Sequence, residues 1–231
     1  MSAGAERWLL WNCAPTAPAE NMAADEVLLE CAAALGSPVL RFYSWTVPAA
    51  TFGYFQHYAD LEAVTPLRPL IRRTTGGGLV PHDADWTVSL TIPPTHPWYQ
   101  LSAVASYQRF HQWVADAFGE VGVAAELSPC CRKEVPGQCF VGAEKFDVLW
   151  HGRKIAGAAQ RRNRLGLLIQ GSIQPPPVKV TRAAWEQAFC ALAARQWDVV
   201  WLRFESDAEL REQVQRLVRE KYGCDEYNRR R

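Results

Sequence analysis

The chain predicts an α/β fold of the α+β type, with one central mixed, mainly antiparallel sheet flanked by helices. Three observations predict it. Short strand-like apolar runs recur through the first 173 residues, hairpin-like turns join them in place of regular β–α–β crossings, and only four segments carry a helical repeat. No linker interrupts the pattern, so residues 1–231 are expected to form a single domain, with 178–231 as C-terminal helices.

In order, Trp8–Asn12 predicts a short opening strand. Thr16-Ala17-Pro18 then leads into a helix over Ala19–Ala34 that Gly36 closes. Its apolar face carries Met22, Val27 or Leu28, and Cys31, with Asp25 and Glu26 on a polar flank. Val39–Trp45 and Ala50–Phe55 are strands separated by Pro48, and Leu70–Arg73 is a third that runs into glycines. Trp86–Ile92 alternates as a fourth. Leu101–Val121 is the clearest helix: Val104, Tyr107, His111, Val114, Phe118 and Val121 recur at helical spacing before Gly122. Ser128–Gly137 is a loop. A meander follows, with strands Phe146–Trp150, Arg153–Arg162 and Leu167–Ile173 joined by turns at His151-Gly152 and Asn163–Gly166. Pro175-Pro176-Pro177 forces an extended connection to two helices, Thr181–Gln196 and Asp207–Tyr222.

A hydrophobic content of 48% with 21% charge fits a globular protein with a real core. No run approaches the ~18 apolar residues of a membrane span, and the N-terminus has no charged-then-apolar signal. A soluble, cytoplasmic protein is expected. The seven cysteines show neither CxxC…CxxC nor Cys/His zinc spacing, so free thiols and no metal are expected. The net charge of +1 by itself says nothing about nucleic acid. Basic residues nevertheless bunch at Arg72, Arg73, Arg132, Lys133, Arg153, Lys154, Arg161, Arg162 and Arg164. They form a positive surface if those segments meet.

Three segments carry candidate chemistry. In Arg72-Arg73-Thr74-Thr75-Gly76-Gly77-Gly78 a strand runs into glycines whose amides can cradle an anion or let a ligand approach the backbone. It matches neither a Walker loop nor a dinucleotide fingerprint, and a plain hairpin turn explains it equally well. In the strand Arg153–Arg162, strict alternation places Lys154, Ala156, Ala158 and Gln160 on one face, leaving room for a ligand beside the ammonium. The bland alternative is a surface lysine with small core neighbours. Cys139, on the approach Pro136-Gly137-Gln138, is a candidate acyl-carrying nucleophile whose pKa falls near Lys154 or Arg153. Cys130 and Cys131 compete with it. His82 and Asp83 are a candidate base and orienter, or a structural histidine at a strand start; His111 is expected in the core.

Five ordered motifs carry a resemblance. They are Asn21-Met22-Ala23-Ala24-Asp25-Glu26, Leu40-Arg41-Phe42-Tyr43-Ser44-Trp45, Gly53-Tyr54-Phe55-Gln56, the Arg72–Gly78 loop with His82-Asp83, and Gly152-Arg153-Lys154 through Gln160 with Gly171-Ser172-Ile173. From Trp8 to Ile173 the chain resembles the lipoate–protein ligase/octanoyltransferase superfamily, which shares its catalytic fold with biotin–protein ligases.

The resemblance implies attachment of an octanoyl or lipoyl group to a lysine of a lipoyl-domain protein, such as glycine cleavage H protein or a 2-oxoacid dehydrogenase subunit. Cys139-Phe140 and His82 through Ser89 are similar to the cysteine-dependent octanoyltransferases. These take the chain from acyl carrier protein through a thioester and need no cofactor. The implied site is Cys139 as nucleophile and Lys154 as oxyanion donor. Substrate contacts are implied at Arg72, Arg73, Thr75, Gly76, Gly77, Gly78, His82, Ala156, Gly157 and Ala158, with no metal, nucleic acid or membrane. Gly78 departs from this pattern, because a triple glycine is common in the ligases. The alternative is therefore an ATP- and Mg-dependent lipoate–protein ligase that forms a lipoyl-adenylate. A second alternative is a carrier-protein-binding module without chemistry.

Overall fold

The computed structural model of the chain describes residues 4–133, 140 and 142–230. Among these the strands are β1 (Glu6–Asn12), β2 (Val39–Tyr43), β3 (Ala49–Phe52), β4 (Leu70–Arg72), β5 (Val80–His82), β6 (Trp86–Ile92), β7 (Glu126–Leu127), β8 (Arg132–Lys133), β9 (Gly142–Ala143), β10 (Val148–Trp150), β11 (Arg153–Asn163), β12 (Gly166–Ile173) and β13 (Val199–Arg203). The main helices are α1 (Pro18–Leu35), α2 (Tyr58–Glu62), α3 (Pro97–Gln100), α4 (Ala103–Glu120), α5 (Arg182–Trp197), α6 (Ala208–Leu217) and α7 (Asp225–Asn228), with a π turn at Val218–Tyr222.

An eight-stranded sheet runs in the order β13-β1-β2-β6-β12-β11-β10-β7. Only β13–β1 and β1–β2 are parallel within it, so it is mixed and mainly antiparallel as expected. A second sheet, β4-β3-β5, stands apart, and β8, inside the segment expected to be a loop, pairs with β9 beyond it. Three features had no clear sequence signal. Strand β5 is three residues long, α7 is a single turn, and β13 continues an apolar run directly from the end of α5. Asp198, at φ +53, makes that reversal.

Alternation along the central strands sorts two buried faces. Leu40 and Phe42 of β2, Val88, Leu90 and Ile92 of β6, and Leu167, Ile169 and Ile173 of β12 join one core with α4 and α5. There Trp113 stacks on Phe189 at 3.6 Å and donates its Nε1–H to the Phe189 carbonyl at 2.7 Å, so the ring buries its area with its polar edge satisfied. On α4 the buried stripe runs through Phe110, Trp113, Val114, Ala117 and Phe118. Val104, expected on that stripe, is exposed because it sits in the first turn, before the helix meets the sheet.

The opposite face is polar and also buried, because α1 lies across it. Asp25 does not flank α1 towards water; it points into this face, fully buried. Its carboxylate accepts from Arg41 Nη1 at 2.9 Å, Ser89 Oγ at 2.7 Å, Tyr43 OH at 3.0 Å and Gln170 Nε2 at 2.7 Å. Each lone pair taken from water is thereby replaced by a hydrogen bond.

Asp25→Asn is expected to cost about 3–5 kcal/mol, because it strands the buried Arg41 guanidinium without its counter-charge. Urea denaturation should show a lower midpoint at an unchanged slope. A midpoint equal to that of the parent chain would mean that Arg41 does not depend on this pair.

Candidate acyl-transfer site

A pocket opens between the polar face of the large sheet and the small sheet. Gly157, Ala159, Gln170 and Ser172 of β11 and β12 form one wall, and Thr51, Val80 and His82 of the small sheet face them. Met22 of α1, Arg73, Lys154 and Phe140 complete the lining.

The glycine segment is held from inside by Arg73. Its guanidinium donates to Thr51 Oγ1 at 2.8 Å and to the carbonyls of Gly76 and Gly78, each at 2.9 Å. Gly77 takes φ +86, which strongly favours glycine, and a Cβ on Gly53 would stand 1.9 Å from the Gly77 carbonyl oxygen. The loop therefore folds over the end of β3 in one close approach. Thr75 Oγ1 donates to Gln170 Oε1 at 2.7 Å, which joins the loop to Asp25 through the same glutamine. Of the expected contacts, Arg73 and His82 line the pocket, whereas Thr75 and the glycines of positions 76–78 form the shell behind Arg73.

Arg72 is not among the residues that line this pocket. Fully buried, it donates to the carbonyls of Tyr54, Gln56 and Asn228 at 2.7–3.0 Å, and so fastens the chain after β3 and the C-terminal α7 to β4. Of the basic run, Arg161 Nη1 donates to the Thr74 carbonyl, Arg162 to the Tyr99 carbonyl, and Lys154 pairs with Asp147, while Arg132, Arg153 and Arg164 stay exposed.

His82 is oriented by Asp85, not by the neighbouring Asp83, which is exposed. His82 Nδ1 lies 2.9 Å from Asp85 Oδ2 and Nε2 lies 2.7 Å from Thr51 Oγ1, while the ring stacks on Trp45 at 4.0 Å. The carboxylate can only accept, so Nδ1 carries a proton. Asp85 Oδ2 also accepts from Ser172 Oγ at 2.7 Å. This histidine is a fully bonded part of the pocket floor.

Lys154 sits beside the turn His151-Gly152, whose φ values of +49 and +75 give the hairpin read from sequence. Strict alternation does not hold beyond it. Val148 pairs with Ala156 but Leu149 pairs with Lys154, so a bulge inserts Ile155 and reverses the faces. Lys154 therefore shares the pocket side with Gly157 and Ala159. Ala156 is buried in the main core, Ala158 packs against that core while also lining the pocket, and Gln160 turns to α4, where Ser106 Oγ donates to it at 2.9 Å. The Lys154 ammonium lies 2.7 Å from Asp147 Oδ2 and 5.1 Å from the Phe140 ring centroid. Cys139 lies outside the described residues. Its chain neighbour Phe140 lines the pocket.

Residues 17–174 match the model of the lipoyl protein ligase A/B catalytic domain. The chain belongs to this family. It is 31% identical to the octanoyltransferase LipM of Macrococcus caseolyticus, over 98% of the chain and 99% of that protein. It is 35% identical to the octanoyltransferase LipM of an Exiguobacterium strain, over 72% of the chain but 65% of that protein, and so spans just under two thirds of that relative. In fold it is similar to the Thermoplasma acidophilum protein Ta0514, described as a lipoate protein ligase with bound lipoic acid (TM-score 0.78, 20% identity, 98% and 99% of the two chains). It is equally similar to a lipoate-protein ligase A bound with ATP (TM-score 0.78, 19% identity, 97% and 98%).

The pocket rests in addition on residues to which sequence reasoning gave no role in the site: Asp147, Tyr107, Thr51, Asp85 and Gln170. For Asp147 a signal existed, since a two-residue turn at His151-Gly152 sets residues just before β10 opposite the lysine segment. For the others no local signal marks which strand faces which. Among the described residues no group of three His, Cys, Asp or Glu side chains is arranged to hold a metal ion. No helix among them is long and apolar enough to cross a membrane.

Proposed function

We propose that the chain is an octanoyltransferase of protein lipoylation that carries the acyl group on Cys139. The Cys139 thiolate attacks the carbonyl carbon of an octanoyl thioester on acyl carrier protein. The new C–S bond forms as the carrier thiolate leaves. The neutral amine of a lipoyl-domain lysine then attacks the octanoyl-enzyme, the C–N bond forms, and Cys139 leaves as thiolate. The amine proton passes, in net terms, to the carrier thiol. Both steps build negative charge on the same carbonyl oxygen, and Lys154 Nζ is the cation that stabilises it. The acyl chain lies against Met22, Val80 and the small residues of β11.

One observation carries this reading: the Lys154 ammonium is fixed in the wall of a pocket that Phe140, the residue after Cys139, also lines. The octanoyltransferase names of the relatives support it. The deciding experiment incubates the chain with octanoyl-carrier protein and a lipoyl domain, without nucleotide. Mass spectrometry should find one octanoyl group on the domain lysine. Modification that needs free lipoate and Mg-ATP and releases AMP, with no transfer from the carrier thioester, would replace this reading with the ligase one suggested by Gly76–Gly78.

A further inference from the structure

We propose that the outer edge of β13 is the contact face of a two-fold symmetric dimer, in which β13 of a second copy pairs antiparallel with it about Trp201. The inference is independent of the acyl-transfer reading. Strand β13 ends the eight-stranded sheet and pairs with β1 alone. The Glu6 amide donates to the Asp198 carbonyl and the Phe204 amide donates to the Leu10 carbonyl, each at 2.9 Å. In a parallel ladder that phase turns the backbone groups of Val200 and Leu202 towards β1 and those of Val199, Trp201 and Arg203 outwards. Among the described residues, no hydrogen bond reaches these outward amides and carbonyls.

The edge carries none of the usual devices against pairing. Val-Val-Trp-Leu-Arg holds no proline and no lysine, and its register against β1 is unbroken by a bulge. The opposite edge of the same sheet, β7, is two residues long and one of them is a glutamate. Of the two edges, β13 is therefore the one long enough to template another strand. Its apolar side chains are also unevenly covered. Val199 and Trp201 pack into the main core, whereas Val200 and Leu202 on the other face keep 45% and 40% of their surface in water.

A second copy of β13 is the occupant that answers all of these features at once. Antiparallel pairing about Trp201 sets Val199 opposite Arg203 and Trp201 opposite itself, so every outward amide meets an outward carbonyl. Val200 then stands opposite Leu202 of the second copy, at the closer Cα spacing of about 4.5 Å that pairs without hydrogen bonds adopt. The exposed apolar pair of each copy covers that of the other. A slip of one residue would set outward backbone groups against inward ones and lose the match.

Charge agrees with the same register. Arg203 is 86% exposed, and its ion pair with Glu205 at 2.7 Å lies at the surface. In the dimer it comes beside Asp198 of the second copy, the residue that caps the C-terminal end of α5. A carboxylate and the negative end of a helix both favour a guanidinium there. The pocket walls on β12 and β11 stand four and five strands from β13, roughly 19–24 Å at the usual strand spacing. Pairing therefore leaves the pocket of each copy open.

Analytical ultracentrifugation of the full chain at about 100 μM should give a species of about 52 kDa, twice the 26.0 kDa chain, that dissociates on dilution. Leu202→Lys puts a charge into the apolar pair, and Arg203→Pro removes an outward amide without touching a bond to β1. Each should weaken the dimer at least about tenfold while circular dichroism stays that of the parent chain. Hydrogen exchange of the parent chain, read by mass spectrometry with electron-transfer fragmentation, needs no variant. The amides of Val199, Trp201 and Arg203 should exchange at least about tenfold more slowly at 100 μM than at about 1 μM, and those of Val200 and Leu202 should stay slow at both. A chain that remains monomeric at about 100 μM, or a dimer that both variants leave at full strength, would overturn the proposal. Monomers whose outward amides become protected on adding a lipoyl domain would give the edge to that partner and overturn it equally.

Discussion

Cys139→Ser is expected to abolish the octanoyl-enzyme adduct and to lower transfer by at least about 10³-fold. A serine hydroxyl is almost wholly protonated at neutral pH, whereas a thiol yields a useful thiolate fraction with little help. Any ester that did form would give up its octanoyl group to an amine less readily than a thioester does. Mass spectrometry after incubation with octanoyl-carrier protein should find one adduct, on the peptide carrying Cys139, and none in the variant. Competing thiols are poorly placed to substitute. Burial pushes Cys190 up to about 12 and also raises Cys13 and Cys31. That leaves the exposed Cys130 and Cys131 and the half-buried Cys224 as the rivals to watch. An adduct that persists on any of them in Cys139→Ser would remove Cys139 from the mechanism.

Lys154→Ala should slow the acylation step by about 10²–10³-fold, the ~2.7–4 kcal/mol that one preorganised oxyanion donor is worth. Carrier binding should change little, because the ammonium is buried against Asp147 and is not displayed to a docking protein. Lys154→Arg should not restore the rate. The berth over Gly157 is already so filled that one added carbon would come within 2.7 Å of Nζ, and a planar guanidinium is bulkier than an ammonium. Stopped-flow or quench measurements of a single turnover separate the two steps. Weakened binding with an intact acylation rate would assign Lys154 to docking.

Much of the fold is legible along the chain because its signals are local. Trp86–Ile92 alternates so regularly that its strand falls where the pattern puts it, and Gly36 ends α1 at φ +64 with its amide bonded to the Ala32 carbonyl at 3.1 Å. The hairpin at His151-Gly152 follows from the turn residues alone. Helix α6 is legible to Leu217, where a π turn replaces the last α turn. Strand β13 is not legible, since its five residues carry one buried position and it exists by pairing with β1, almost two hundred residues earlier in the chain.

The candidate site was legible as a set of segments and illegible as a geometry. Arg72 and Arg73 are identical neighbours in the sequence, yet one fastens α7 to β4 and the other spans the pocket wall. Asp83 adjoins His82 and Asp85 lies three residues on, yet only the more distant one turns inward to it. Alternation along β11 assigned Ala156 and Ala158 to the face of Lys154; with one residue inserted at the bulge, Ala156 turns into the core while Ala158 still reaches the pocket.

By itself the sequence determined the family, the order of the main strands and helices up to β12, and the segments that carry the chemistry, because motif identity and periodicity are properties of neighbouring residues. Tertiary structure alone decided which polar residues are buried and what faces them. Alternation says that Ser89, Gln170 and Ser172 share a face but not whether that face meets water. Here α1 and the small sheet cover it, so each polar group had to find a partner across the chain, and those partnerships build the pocket.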